Sequence, residues 1–196
     1  MWSIRHLNNL FRICIISSHT FLAASSAAGC LHKLPGAGTI QPMTFLAPYS
    51  AILPRNEQGL ALSFVLQDEP GIPDDTYQVV EWYCPNPECD CQEAILEVRA
   101  VQQKIIAAGV KLRLGYLFSP VLEPTDLSTP YAGLLVKILE DYLTEKPSYP
   151  LTLRDHYRLI KSVAADPSRP AYSVLNHWAQ TGTPPESSRK HHRKQP

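Results

Sequence analysis

Three of the five cysteines fall within eight residues, in the string Tyr83-Cys84-Pro85-Asn86-Pro87-Glu88-Cys89-Asp90-Cys91. Thiolates bind Zn²⁺ tetrahedrally at about 2.3 Å, and a structural zinc site takes four ligands. Cys84, Cys89 and Cys91 can supply three of them from one short loop. The two prolines restrict the backbone and so reduce the entropy lost when the loop closes around an ion. His156 is the first choice for the fourth ligand. It shares a helical face with Leu153 and Ile160, so it is expected to point inward and pin a helix to the cysteine loop. The alternative is a boundary histidine with a hydrogen-bonded ring. His177 is the second choice and Cys30 the third. A disulfide is the competing reading of the cysteines themselves. A Cys89–Cys91 bridge would be strained, whereas Cys84–Cys91 could pair in an oxidising compartment and would leave one thiol over. Copper or an iron–sulfur cluster also suits such ligands, but Zn²⁺ is the expectation.

Constellations for catalysis are missing. The chain has no Gly-x-Ser-x-Gly elbow, no His-Glu-x-x-His, no phosphate loop and no dinucleotide fingerprint; Gly36-Ala37-Gly38 is too short. No His-x-Glu precedes the cysteines, as a zinc deaminase would need. The adjacent acids Asp74-Asp75 and Glu140-Asp141 read as solvated charge. Asp155 and His156 project about 100° apart on a helix, so Asp155 reads as first-turn charge that favours the helix dipole. Three thiolates would also quench the Lewis acidity of a zinc ion. The expectation is a non-enzymatic module.

The elements that must carry these residues read as strands followed by helices. Leu60, Leu62, Phe64 and Leu66 alternate as on a half-buried strand, and Thr76 to Tyr83 is rich in Tyr, Val and Trp. Ala94 to Val101 puts Ala94, Leu96 and Val98 on one face. Lys111 to Phe118 puts Leu112, Leu114, Tyr116 and Phe118 on one face. Turns are expected at Pro70–Asp75, at Pro85–Asp90 and around Gly109. A first helix is expected from Tyr131, Leu134, Leu135, Ile138, Leu139 and Tyr142, with Thr129-Pro130 at its start. Lys146-Pro147 and Pro150 should stop it. A second helix should run from Thr152 to Ala164, opened by a capping box of Thr152 and Asp155. The third should cover Ala171 to Gln180 and end at Gly182. This order predicts an α+β fold: an antiparallel sheet of about four strands, then two or three helices packed on one face.

With those elements in place, Cys89-Asp90-Cys91 resembles the Cys-x-Cys start of the SEC-C type of zinc-binding motif. The longer string, followed by a strand and later by His156-Tyr157 on a helix, is similar to small bacterial proteins with a Cys-rich hairpin. The Gly/Lys-rich run and closing Cys-Cys or Cys-His of SEC-C are missing here. The resemblance covers about eight residues; it implies metal binding and no activity.

Charge and chain ends narrow the partners. The formal net charge is zero, yet residues 43–186 hold 11 basic groups against all 18 acidic ones. A body at −7 repels a phosphate backbone, which favours a protein partner over nucleic acid. Nucleic-acid contact would have to come from the basic tail at 183–196, expected to be disordered. Residues 1–42 form a leader with basic but no acidic residues. Three readings stand for it: a signal ending before Cys30, a transit peptide, or sequence upstream of a functional start at Met43. The folded domain is expected at 43–182. No run of about 18 apolar residues occurs, so no membrane span is expected. A cytoplasmic location follows, or export and lipid anchoring if the first 30 residues are a signal.

Overall fold

The computed structural model describes residues 45–53, 62–115 and 121–185. The whole leader with Cys30, and also Leu60, Tyr116, Phe118 and the tail from Glu186, lie outside the described residues.

Among the described residues, six strands form one antiparallel sheet. They are β1 (Ala47–Pro48), β2 (Ser63–Leu66), β3 (Asp75–Tyr83), β4 (Glu93–Ala100), β5 (Ile105–Arg113) and β6 (Leu122–Asp126). Strand order is β1-β3-β4-β5-β6, with β2 also paired to β3. Three helices follow: α1 (Ala132–Glu145), α2 (Ser148–Ala164) and α3 (Tyr172–Thr181). The α+β class and the order of the elements match the sequence reading, with more strands than the four expected.

Alternation sets the core. Tyr77, Val79 and Tyr83 of β3, Ala94, Leu96 and Val98 of β4, and Ala108, Val110 and Leu112 of β5 are all buried. Against them pack Leu135, Leu139 and Leu143 of α1, Leu153 and Ile160 of α2, and Leu175 of α3. The inward line of α1 runs through Ala132, Leu135, Leu139 and Leu143, so Leu134 stays exposed. Trp82 falls on the opposite face from Tyr83. Trp178 of α3 meets it edge-on, with ring centroids 5.7 Å apart.

Several boundaries differ from the sequence reading, each for a local reason. No turn forms at Gly109, which lies inside β5 opposite Asp126. A Cβ there would come within 2.9 Å of Thr125 Oγ1 and 3.0 Å of Asp126 Cβ, so the glycine serves the close approach of β6. The turn instead follows β4. The buried Asp75 carboxylate accepts from the backbone N–H groups of Gln102 and Gln103 at 2.9 and 3.2 Å, and Lys104 adopts φ 60°. Pro124 obscured β6 in the sequence, but an edge strand tolerates it, since one side of its backbone needs no partner. Helix α2 starts at Ser148, with Pro150 in its first turn, where a missing N–H costs nothing. Thr152 caps nothing there; its hydroxyl donates to Ser148 O at 3.2 Å. Thr129 likewise donates to Ala107 O at 2.7 Å and does not cap α1. Gly182 ends α3 in the left-handed conformation at φ 66°, as expected.

Candidate metal centre

The antiparallel register Tyr83↔Ala94 makes residues 84–92 the tip connecting β3 to β4. Its shape comes from the sequence Asn86-Pro87-Glu88-Cys89. Asn86 Oδ1 accepts from the Glu88 N–H at 3.0 Å, and Asn86 O accepts from the Cys89 N–H at 3.2 Å. Side chain and backbone of one asparagine thus fold the chain back on itself. Two residues on, the Cys91 N–H donates to Cys89 Sγ at 3.4 Å. The three thiols converge: Cys84, Cys89 and Cys91 offer sulfur atoms that all lie within 4.8 Å of one another. All three are free thiols and all are half-buried.

Helix α2 clamps the tip. Lys161 Nζ donates to Asn86 O and, at 2.8 Å, to Cys89 O. The same ammonium stands 5.3 Å from the ring centroid of Tyr157, which in turn packs on Tyr83 at 6.3 Å. Hydrogen bonds, burial and charge within this cluster set the acidity of its groups. The hydrogen bond from Cys91 is the largest effect holding the Cys84 thiol down at about 6; Lys161 and the Asn86 backbone add to it, against burial. Cys91 moves the other way, because its proton is held by Cys84 and burial disfavours a second thiolate beside the first. Burial, and then the negative charge of Cys91, Cys89 and Cys84, pushes the Tyr157 phenol up to about 12.

His156 does not join this group. Its Nδ1 lies 2.7 Å from Glu81 Oε2, and its ring stacks on Tyr49 with centroids 3.6 Å apart and planes 11° from parallel. The inward direction expected from its helical face is realised, but toward β3 and not toward the cysteines. The cause is Glu81, a carboxylate on the core-facing side of β3 that must collect donors to stay buried. It takes three: His156 Nδ1, the Tyr83 hydroxyl at 2.9 Å and the Tyr149 hydroxyl at 3.0 Å. Burial foremost, and then Glu81, raise both tyrosines well above the ordinary phenol value. His177 lies on α3 and is likewise not among the grouped residues. The structure therefore brings the three cysteines together and leaves His156 and His177 apart from them.

Two participants escaped the sequence reading. Lys161 left no signal, because one lysine on a helix reads as solvated charge. Glu81 left one: an acid between Val79 and Tyr83, on the buried side of an alternating strand. No helix among the described residues is long and apolar enough to cross a membrane. Neither a protein-family profile, nor a curated protein, nor a solved structure matches the chain.

Proposed function

We propose that this protein is a non-enzymatic metal-binding α+β module that holds Zn²⁺ on Cys84, Cys89 and Cys91 and acts as an accessory to another protein. The observation that carries this is the convergence of three thiols on one hairpin tip, within 4.8 Å of one another. Soft thiolate donors select Zn²⁺, Cu⁺ or iron–sulfur clusters over hard cations. The Cys89-Asp90-Cys91 resemblance to the start of the SEC-C motif supports the same chemistry. The excess of acidic over basic residues in 43–186 supports a protein partner over nucleic acid.

Metal content by native mass spectrometry of the reduced, zinc-loaded protein tests the proposal. One zinc per chain is expected in the wild type, and none in Cys89→Ser or Cys91→Ser at a small excess of metal. Equal zinc in wild type and Cys89→Ser, or none in either, would refute it.

A further inference from the structure

We propose that the ion on Cys84, Cys89 and Cys91 keeps its fourth coordination position open to a thiolate from outside the chain. The loop then receives and hands on the metal, where a structural site would only staple the fold. This inference rests on the metal reading above.

Three observations carry it. First, no fourth donor meets the triangle among the described residues. The thiols form a group of three, without a histidine or a carboxylate. His156, the best placed histidine by sequence, is held by Glu81 and stacked on Tyr49. Four-coordinate zinc with three protein ligands leaves one position for an exogenous group.

Second, the tip is shaped by contacts that involve no metal. Lys161 bridges Asn86 O and Cys89 O from α2, and the Asn86 turn and the Cys91 N–H to Cys89 Sγ contact fix the rest. The buried core is built from strands and helices and includes none of Cys84, Cys89 and Cys91. A structural zinc site of the finger type is different, because there the fold depends on the ion.

Third, access suits an incoming thiolate, and one ammonium offsets part of the negative charge it meets. Three thiolates and Zn²⁺ sum to −1, and the Lys161 ammonium offsets that charge. Pro87, Glu88 and Asp90, which lie between the ligands, and Gln92 just after them are exposed. An external thiol would lose its proton to solvent, and its sulfur would replace the water that completes the zinc shell, the three cysteine bonds persisting. The ion would leave as further donors of the acceptor replace the three cysteines in turn, each cysteine taking up a proton. Zinc stays divalent throughout, and no oxidant or reductant is needed.

Cobalt reports the count of sulfur ligands by its thiolate charge-transfer absorbance. The experiment uses the full-length Cys14→Ser/Cys30→Ser chain loaded with one Co²⁺ and titrated with 2-mercaptoethanol. The inference expects the absorbance per cobalt to rise, saturably, by about one third as three sulfurs become four. An absorbance that stays flat would overturn it by showing the fourth position already held by a donor of the chain. Wild-type protein that already shows the four-sulfur absorbance without added thiol would overturn it as well, by assigning the position to Cys14 or Cys30. Failure to bind cobalt at all would instead remove the metal reading beneath it.

Discussion

Replacing Lys161 by Met keeps the apolar stem over Tyr157 and removes only the ammonium, so it isolates the clamp between α2 and the cysteine tip. Two hydrogen bonds are lost, to Asn86 O and Cys89 O. A hydrogen bond to a charged group contributes about 1.5–3 kcal/mol when buried, and the half-exposed setting here places the pair together near 2 kcal/mol. For a chain of this size that corresponds to a fall in Tm of roughly 4–8 °C. The substitution also raises the Cys84 thiol from about 6, though only part of the way to its ordinary 9.0, because the larger cause, the hydrogen bond from Cys91, remains. The sign of the linkage follows. Folded Cys84 gives up its proton more readily than the unfolded thiol, so its contribution to apo stability is fully present above pH 9 and is lost as pH falls through about 6. Lys161→Met narrows that window from below. Thermal melting between pH 5 and 9 and the pH profile of thiol alkylation, both on reduced apo protein, measure the two effects. Unchanged melting together with an unchanged alkylation midpoint would refute the clamp.

Three further outcomes are expected. Glu81→Ala leaves the buried hydroxyls of Tyr83 and Tyr149 without their acceptor, at a cost of about 3 kcal/mol in urea unfolding; zinc stoichiometry stays at one, and a loss of zinc would tie Glu81 to the metal site. Gly109→Ala pushes a Cβ to 2.9 Å from Thr125 Oγ1, so it lowers stability by about 1–3 kcal/mol and selectively deprotects the β6 amides in hydrogen exchange; wild-type stability would contradict the close approach. Chelation of the metal leaves the far-ultraviolet circular dichroism and a cooperative melt in place, with Tm lowered by mass action alone; collapse to a random-coil spectrum would make the ion a staple.

The parts of the fold legible in the sequence were those governed by a single periodicity. Ala94, Leu96 and Val98 alternate on a central strand, and Leu153, Ile160 and Ala164 recur on a helix; both sets are buried as their spacing dictates. Boundaries failed where one residue type serves two purposes. Gly109 reads as a turn residue, yet it answers to a neighbouring strand far away in sequence. The true turn depends on Asp75, 27 residues before Gln102, a pairing no local window contains. Pro150 reads as a helix stop and is instead an acceptable first-turn residue. At the site, the three thiols were legible because they are close in sequence and a hairpin keeps them so. His156 was legible as an inward residue only. Its partner Glu81 lies 75 positions away, and the competition between a carboxylate and a thiol cluster for one imidazole is decided by tertiary geometry.

The most direct test of the central claim is the X-ray absorption spectrum of the zinc-loaded protein, recorded without added thiol. Three sulfur neighbours at about 2.3 Å are expected, with one lighter atom completing the shell, and an identical spectrum from His156→Ala. Two or fewer sulfurs, or an imidazole contribution that disappears in His156→Ala, would contradict the three-thiolate centre.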